Sequence, residues 1–273
     1  MSASDGATGQ VRRSAAEIYE QFFVPALFGQ WPGEVLDAAG VGAGHRVLDI
    51  GCGTGVLARA AQERVGDRGQ VVGIDVNAGM LAVAERISNG VTWRQAAAED
   101  LPFPDRSFDR VVTQFALMFF TDRDRALREM ARVLAPGGRV AIATWAAVDE
   151  SPGYSAMVRL LRREIGADAA RALLAPFCLG DTDALRELIA PVFADVEVRR
   201  CEGLASFASL EDWLHTDVRG WTLADMIDDE AYDRLLLAAR SELARFVGPR
   251  GSVCFPAPAL IATASASAAP TAP

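Results

Sequence analysis

Lysine does not occur in the 273 residues: all 27 basic side chains are arginine. That excludes a Schiff-base lysine and the phosphate-gripping lysine of P-loop sites. Histidine is scarce too, with only His45 and His215. Cys52, Cys178, Cys201 and Cys254 are scattered without a CxxC pair, so reduced thiols in a cytoplasmic protein are expected, with no metal site. Basic charge is in deficit: the net charge of −9 repels phosphate backbones and anionic membrane surfaces, which argues against nucleic-acid and membrane partners. Long hydrophobic runs are missing as well. A stretch such as Phe115 to Phe120 is far short of the roughly 20 residues of a membrane span, and no basic-then-apolar leader opens the chain.

What is present is a globular composition, 51% hydrophobic and 23% charged, in a chain of a length that suits one large α/β core with a modest cap. Residues 1–14 and 266–273 are small, polar or Ala/Ser/Pro-rich and are expected to be disordered. Residues 15–40 carry five aromatics (Tyr19, Phe22, Phe23, Phe28 and Trp31) and read as two short lid helices split by Pro25 and Pro32. From residue 41 to 148, short apolar runs alternate with helical periods: RVLDIG, VLARAAQERV, QVVGID, AGMLAVAERI, VTWRQA, FDRVVTQFAL, RDRALREMARVL and RVAIATW. This βαβα rhythm predicts a doubly wound, mostly parallel sheet with helices on both faces. Residues 149–265 read as helices that cap the strands' carboxyl ends, with two more strands, near Val196 to Phe207 and Val253 to Ala262, completing a seven-stranded sheet.

The first strand runs into the turn VLDIGCGTG, Val47 to Gly55, with glycine at 51, 53 and 55. Glycine accepts positive φ and lets a ligand approach the backbone. At the end of the second strand stands Asp75, placed to accept hydrogen bonds from a ribose diol. The spacing is GxGxG, not the GxGxxG of dinucleotide sites, and a pyrophosphate would be repelled by Asp49, two residues before the turn. A nucleoside without phosphate but with a positive charge suits such a turn. S-adenosylmethionine has a sulfonium, an ammonium, a carboxylate and a ribose.

The stretches VLDIGCGTG, VVGIDVNAGML, AEDLPFPDRSFDRV and ALREMARVLAPGGRVAIATW, in this order, resemble the motifs of the class I S-adenosylmethionine-dependent methyltransferases, in the small-molecule group similar to the ubiquinone/menaquinone-type (type 11) enzymes. The resemblance implies their Rossmann-like fold, with S-adenosylmethionine as cofactor and S-adenosylhomocysteine as product. It also implies that the backbone of Gly51 and Gly53, near Asp49, holds the methionine moiety, with Cys52 a spacer and Gly55 completing the turn. Asp75 would take the ribose hydroxyls, Val76 and Met80 would pack on adenine, and Gln114 and Phe115 would flank the methionine end. Tyr19 is similar to the lid tyrosine of the family. Where the family usually has an acid before the Ala-Glu pair, this chain has Ala97, so adenine recognition falls to Ala98 and Glu99.

Methyl transfer is an in-line displacement that needs alignment and exclusion of water, and a general base only when the acceptor must lose a proton. Met118 and Phe119 stand where relatives often carry a histidine. His45 precedes the first strand, on the side away from ligands. His215 and Tyr154 are the candidate catalytic groups, while Met118, Phe119, Phe120, Trp145, Trp213 and Trp221 suggest an apolar acceptor pocket. The expected activity is methylation at O, N or C of a small aromatic or polyketide-like molecule of secondary metabolism, by a monomer or homodimer. A second reading stays open: a protein of the same fold that binds the cofactor without transferring methyl, cyclase-like or regulatory.

Overall fold

The computed structural model describes residues 13–220 and 222–266; Trp221 and nearly all of the two termini expected to be disordered lie outside them. The apolar runs become strands β1 (Arg46–Ile50), β2 (Gln70–Asp75), β3 (Thr92–Gln95), β4 (Phe108–Gln114) and β5 (Leu134–Trp145). The interior positions of β1 and β2 are buried on both faces, as parallel strands between helix layers must be, while β3 at the sheet edge stays largely exposed. The helix Val56–Val65 covers β1 and β2 with Leu57, Ala58, Ala61 and Val65, one helical stripe. Each such leucine or valine contributes roughly 1.5–3 kcal/mol on burial. The helix Arg123–Val133 begins at Asp122, whose side chain accepts the Arg125 N–H at 2.9 Å, a cap that stabilises by about 1 kcal/mol.

Two further strands, β6 (Phe193–Cys201) and β9 (Ala259–Ala266), close a seven-stranded sheet of order β3-β2-β1-β4-β5-β9-β6, parallel except for β9, which runs antiparallel to β5 and β6. The order reverses between β1 and β4, which opens a crevice at the carboxyl ends of those strands.

Three details differ from the sequence reading. The two late strands are each broken. Their outer parts, β7 (Leu204–Phe207) and β8 (Val253–Pro256), leave the main sheet and pair with each other as a separate ribbon. The breaks fall at Gly203, where a Cβ would lie 2.2 Å from the Trp31 ring, and at Ala257-Pro258, where proline has no N–H for the ladder. Pro25 does not split the lid into two helices: it sits inside a wide π-helical segment, Tyr19–Phe28, and only Pro32 starts a new helix, Pro32–Ala39. The helix Thr182–Ile189 packs on β6 instead of capping the strand ends. Over those ends lie the lid segment and the helices Pro152–Glu164, Ala167–Leu174 and Leu210–Arg219.

Candidate active site

At the switch point lies a cavity of about 280 Å³. Its floor is the turn after β1, where Gly51, Gly53 and Gly55 have φ of +68°, +53° and +89°. A Cβ at Gly51 would come within 2.4 Å of the Ala116 Cβ, so only glycine lets the turn pass beneath the loop after β4. Gly55 serves a different end. A Cβ there would strike the Trp93 ring at 2.3 Å, so this glycine seats the first helix against β3 and does not face the cavity.

Asp75 ends β2 on the cavity wall. Its Oδ2 accepts the Gly53 N–H at 2.9 Å and its Oδ1 the Asn77 N–H at 2.8 Å, locking the carboxylate between the two loops. Burial pushes its pKa up, and these N–H bonds oppose the shift. The Asn77 side chain then caps the helix Ala78–Ile87, which brings Met80 to the wall beside Val76. Tyr19 roofs the turn, stacked on Phe28 with ring centroids 5.0 Å apart. Burial, and next the charges of Asp75, Glu20 and Asp49, push its phenol far above its ordinary pKa, so it stays neutral.

Ala97, Ala98 and Glu99 line the cavity from the loop after β3. Glu99 also holds the far loop: its Oε1 accepts the N–H groups of Thr121 and Asp122 at 2.8 and 3.2 Å. Gln114 and Phe115 come from the end of β4. Phe115 sits at φ +55°, a strained position for a bulky side chain, and its ring stacks on Trp145 at 3.9 Å and 11°. Phe28, Phe119, Phe120 and Trp145 complete an aromatic end. Among the described residues, the wall holds the carboxylates Asp75 and Glu99 and no arginine or histidine.

Several expected residues lie elsewhere. Asp49 and Cys52 are buried behind the turn, not on the wall; burial pushes Asp49 up to about 8, with the Asp75 charge second, and also raises the Cys52 thiol. Met118 is buried off the cavity in a tight helical turn, because neighbouring positions of such a turn face opposite ways. Trp213 is the core of the cap, 4.7 Å from the Phe255 ring and 5.9 Å from that of Phe207. His215 is half-buried on the outer side of the same helix with its ring edge on Phe22, outside the cavity. Tyr154 misses the cavity as well and lines a second one of about 30 Å³ behind Trp145. His45, as expected, lies at the amino end of β1.

Sequence reading missed Asp217, which is buried beside Tyr154. The signal was available: Leu210, Trp213, Leu214 and Asp217 form one helical stripe, which turns an acid inward. No group of three or more histidine, cysteine or acidic side chains stands together as a metal site among the described residues, and no helix there is long and apolar enough to cross a membrane.

A ubiquinone/menaquinone biosynthesis C-methyltransferase of Edwardsiella ictaluri is 32% identical over 231 residues, 80% of this chain and 88% of that protein. This chain belongs to the class I S-adenosylmethionine-dependent methyltransferases, in their type 11 group. A model described as a methyltransferase domain matches residues 48–142. The enzyme of the same name from Hahella chejuensis is 47% identical over 118 residues, 41% of this chain, so that match spans about half, 47%, of the curated relative's length. Among solved structures, a putative methyltransferase from Bacillus halodurans shares the methyltransferase fold with a TM-score of 0.60 at 20% identity, over 87% of this chain and 99% of that one.

The cavity fits the family's cofactor by its own chemistry. Gln114 Oε1 on the wall is a buried acceptor without a hydrogen-bond partner, which calls for a ligand that brings a donor or positive charge. At Gly51 and Gly53 the methyltransferase turn leaves backbone open where side chains would fill the space.

Proposed function

We propose that the protein transfers a methyl group from S-adenosylmethionine to O, N or C of a small, neutral, aromatic or polyketide-like acceptor, as a cytoplasmic enzyme of small-molecule metabolism. The carrying observation is the polarity of one cavity: glycine backbone and carboxylates at one end, an aromatic cluster at the other, and, among the described residues, no basic side chain on the wall. When bound, S-adenosylmethionine supplies an electrophilic methyl on a sulfonium, open to in-line displacement.

The chain's part is placement. The backbone of Gly51 and Gly53 and the free acceptor of Gln114 hold the amino-acid end. Asp75, already oriented by two N–H bonds, accepts from the ribose hydroxyls, and Val76, Met80 and Ala98 flank the base. In place of the family's adenine-contacting acid, Ala97 leaves an apolar wall, and Glu99 spends one oxygen on the Thr121 loop. The Phe115–Trp145 stack and the Tyr19 roof exclude water and give the acceptor a flat apolar seat. The quinone-pathway C-methyltransferase names of the relatives support a ring-bearing acceptor.

Calorimetric titration with S-adenosylmethionine, S-adenosylhomocysteine and NAD, then incubation with methyl-labelled cofactor and a panel of phenols, hydroxyquinones and aryl amines, tests this reading. The expected result is binding of the first two compounds alone and label in at least one aromatic acceptor. Uptake of NAD with neglect of the other two would sink it. Tight binding with no label transferred to any member of the panel would favour the non-transferring alternative.

A further inference from the structure

The second cavity touches the first: Phe23, Phe28 and Trp145 line both, so these side chains form the partition, and two of them belong to the lid segment. At about 280 Å³ the first cavity lies just below the roughly 300–1,000 Å³ of small-molecule sites, so with a nucleoside at the glycine turn the room left for an acceptor ring is the aromatic end, against Trp145. The second, at about 30 Å³, admits a single substituent and not a ring.

Among the described residues its lining is apolar except for the indole N–H of Trp145, Tyr154, from the helix Pro152–Glu164, and Asp217, from the helix Leu210–Arg219. Asp217 is 4% exposed and its Oδ2 accepts the Trp213 Nε1–H at 2.8 Å, while the Tyr154 hydroxyl donates to the same carboxylate. Burial pushes Asp217 up to about 7, opposed by those two donors. Above that pH, with Asp217 ionised, every donor of this cluster is spent within it. The remaining capacity, on the carboxylate and on the phenol oxygen, is acceptor capacity.

We propose that the acceptor chamber continues past Trp145 into this small cavity, where Asp217 and Tyr154 bind one hydroxyl or N–H group at the far end of an aromatic acceptor. This rests on the methyltransferase reading of the first cavity and adds a substrate class: an acceptor with a hydrogen-bond donor at the end remote from the glycine turn. With Asp217 ionised, an ether or a carbonyl at that end finds no donor on Asp217 or Tyr154. A buried acceptor pair left facing such a group costs enough to discriminate by about 10- to 100-fold.

The test uses the full chain saturated with S-adenosylhomocysteine and two matched probes, 2-naphthol and 2-methoxynaphthalene. Their affinities are compared by calorimetry for wild type, Tyr154→Phe and Asp217→Asn. Wild type is expected to favour the naphthol at least 10-fold. Asp217→Asn, whose amide adds a donor, should bring the two probes to within about 3-fold, and Tyr154→Phe, which keeps the carboxylate, should lower the preference about 3-fold, both binding S-adenosylhomocysteine as wild type does. Equal affinities in wild type overturn the proposal, and so does a preference of undiminished size in folded Tyr154→Phe. If Asp217→Asn does not fold, the wild-type comparison and Tyr154→Phe decide. If S-adenosylhomocysteine itself does not bind, the reading of the first cavity fails, and the naphthol preference without it still decides the subsite.

Discussion

The two ends of the ligand chamber are built by opposite means. At the glycine turn the wall is largely backbone, supplied by residues close in sequence at the tips of neighbouring parallel strands, and one carboxylate, Asp75, is pinned by two N–H groups. At the cap end the wall is side chain, and the two polar groups, Tyr154 and Asp217, come from helices 63 positions apart, 217 less 154. The first kind of site demands particular residues at particular spacings. The second demands only that apolar stripes meet, and almost any aromatic packs there, so it tolerates drift while the turn does not.

The largest expected effect tests whether the ends are separable. Trp213 is fully buried in the cap, so Trp213→Ala should cost about 3–5 kcal/mol of stability by denaturant unfolding while S-adenosylhomocysteine affinity of the folded protein stays within about twofold. An equal fall in affinity would show that the cap shapes the turn as well. Asp75→Ala probes the other end. It removes the ribose acceptor and the anchor of the Gly53 and Asn77 amides, and it should weaken cofactor binding by roughly 1–3 kcal/mol; an unchanged dissociation constant argues against the ribose role.

The smallest effect is in pH. Burial holds Asp49 up to about 8, against an ordinary carboxyl near 4. The folded chain therefore keeps a proton that the unfolded chain releases above about pH 4, so this contribution is full below pH 4 and declines until about pH 8. Asp49→Asn should gain thermal stability relative to wild type as pH is raised from 5 to 8. A constant difference between the two across that range would refute the buried, protonated carboxyl.

The parallel core was legible because each strand and helix there announces itself locally, through an apolar run of five or six residues or a stripe such as Leu57, Ala58, Ala61 and Val65. The glycines and Asp75 were legible for the same reason: backbone conformation and strand-end position are local properties. Placement of Met118, Trp213 and His215 was not, because hydrophobicity says that a side chain is buried but not against which neighbour. Trp213 faces Phe255 from a ribbon whose existence depends on the break at Gly203, itself dictated by Trp31 from the lid.

The sequence by itself determined a nucleoside turn on a doubly wound sheet, since the GxGxG spacing departs from that of a dinucleotide turn and Asp75 stands at the end of the next strand. Only the tertiary structure decided which aromatics face the ligand and set Asp217 against Tyr154. Packing among distant helices depends on the sum of many weak, non-directional contacts, and no short stretch of chain encodes that sum.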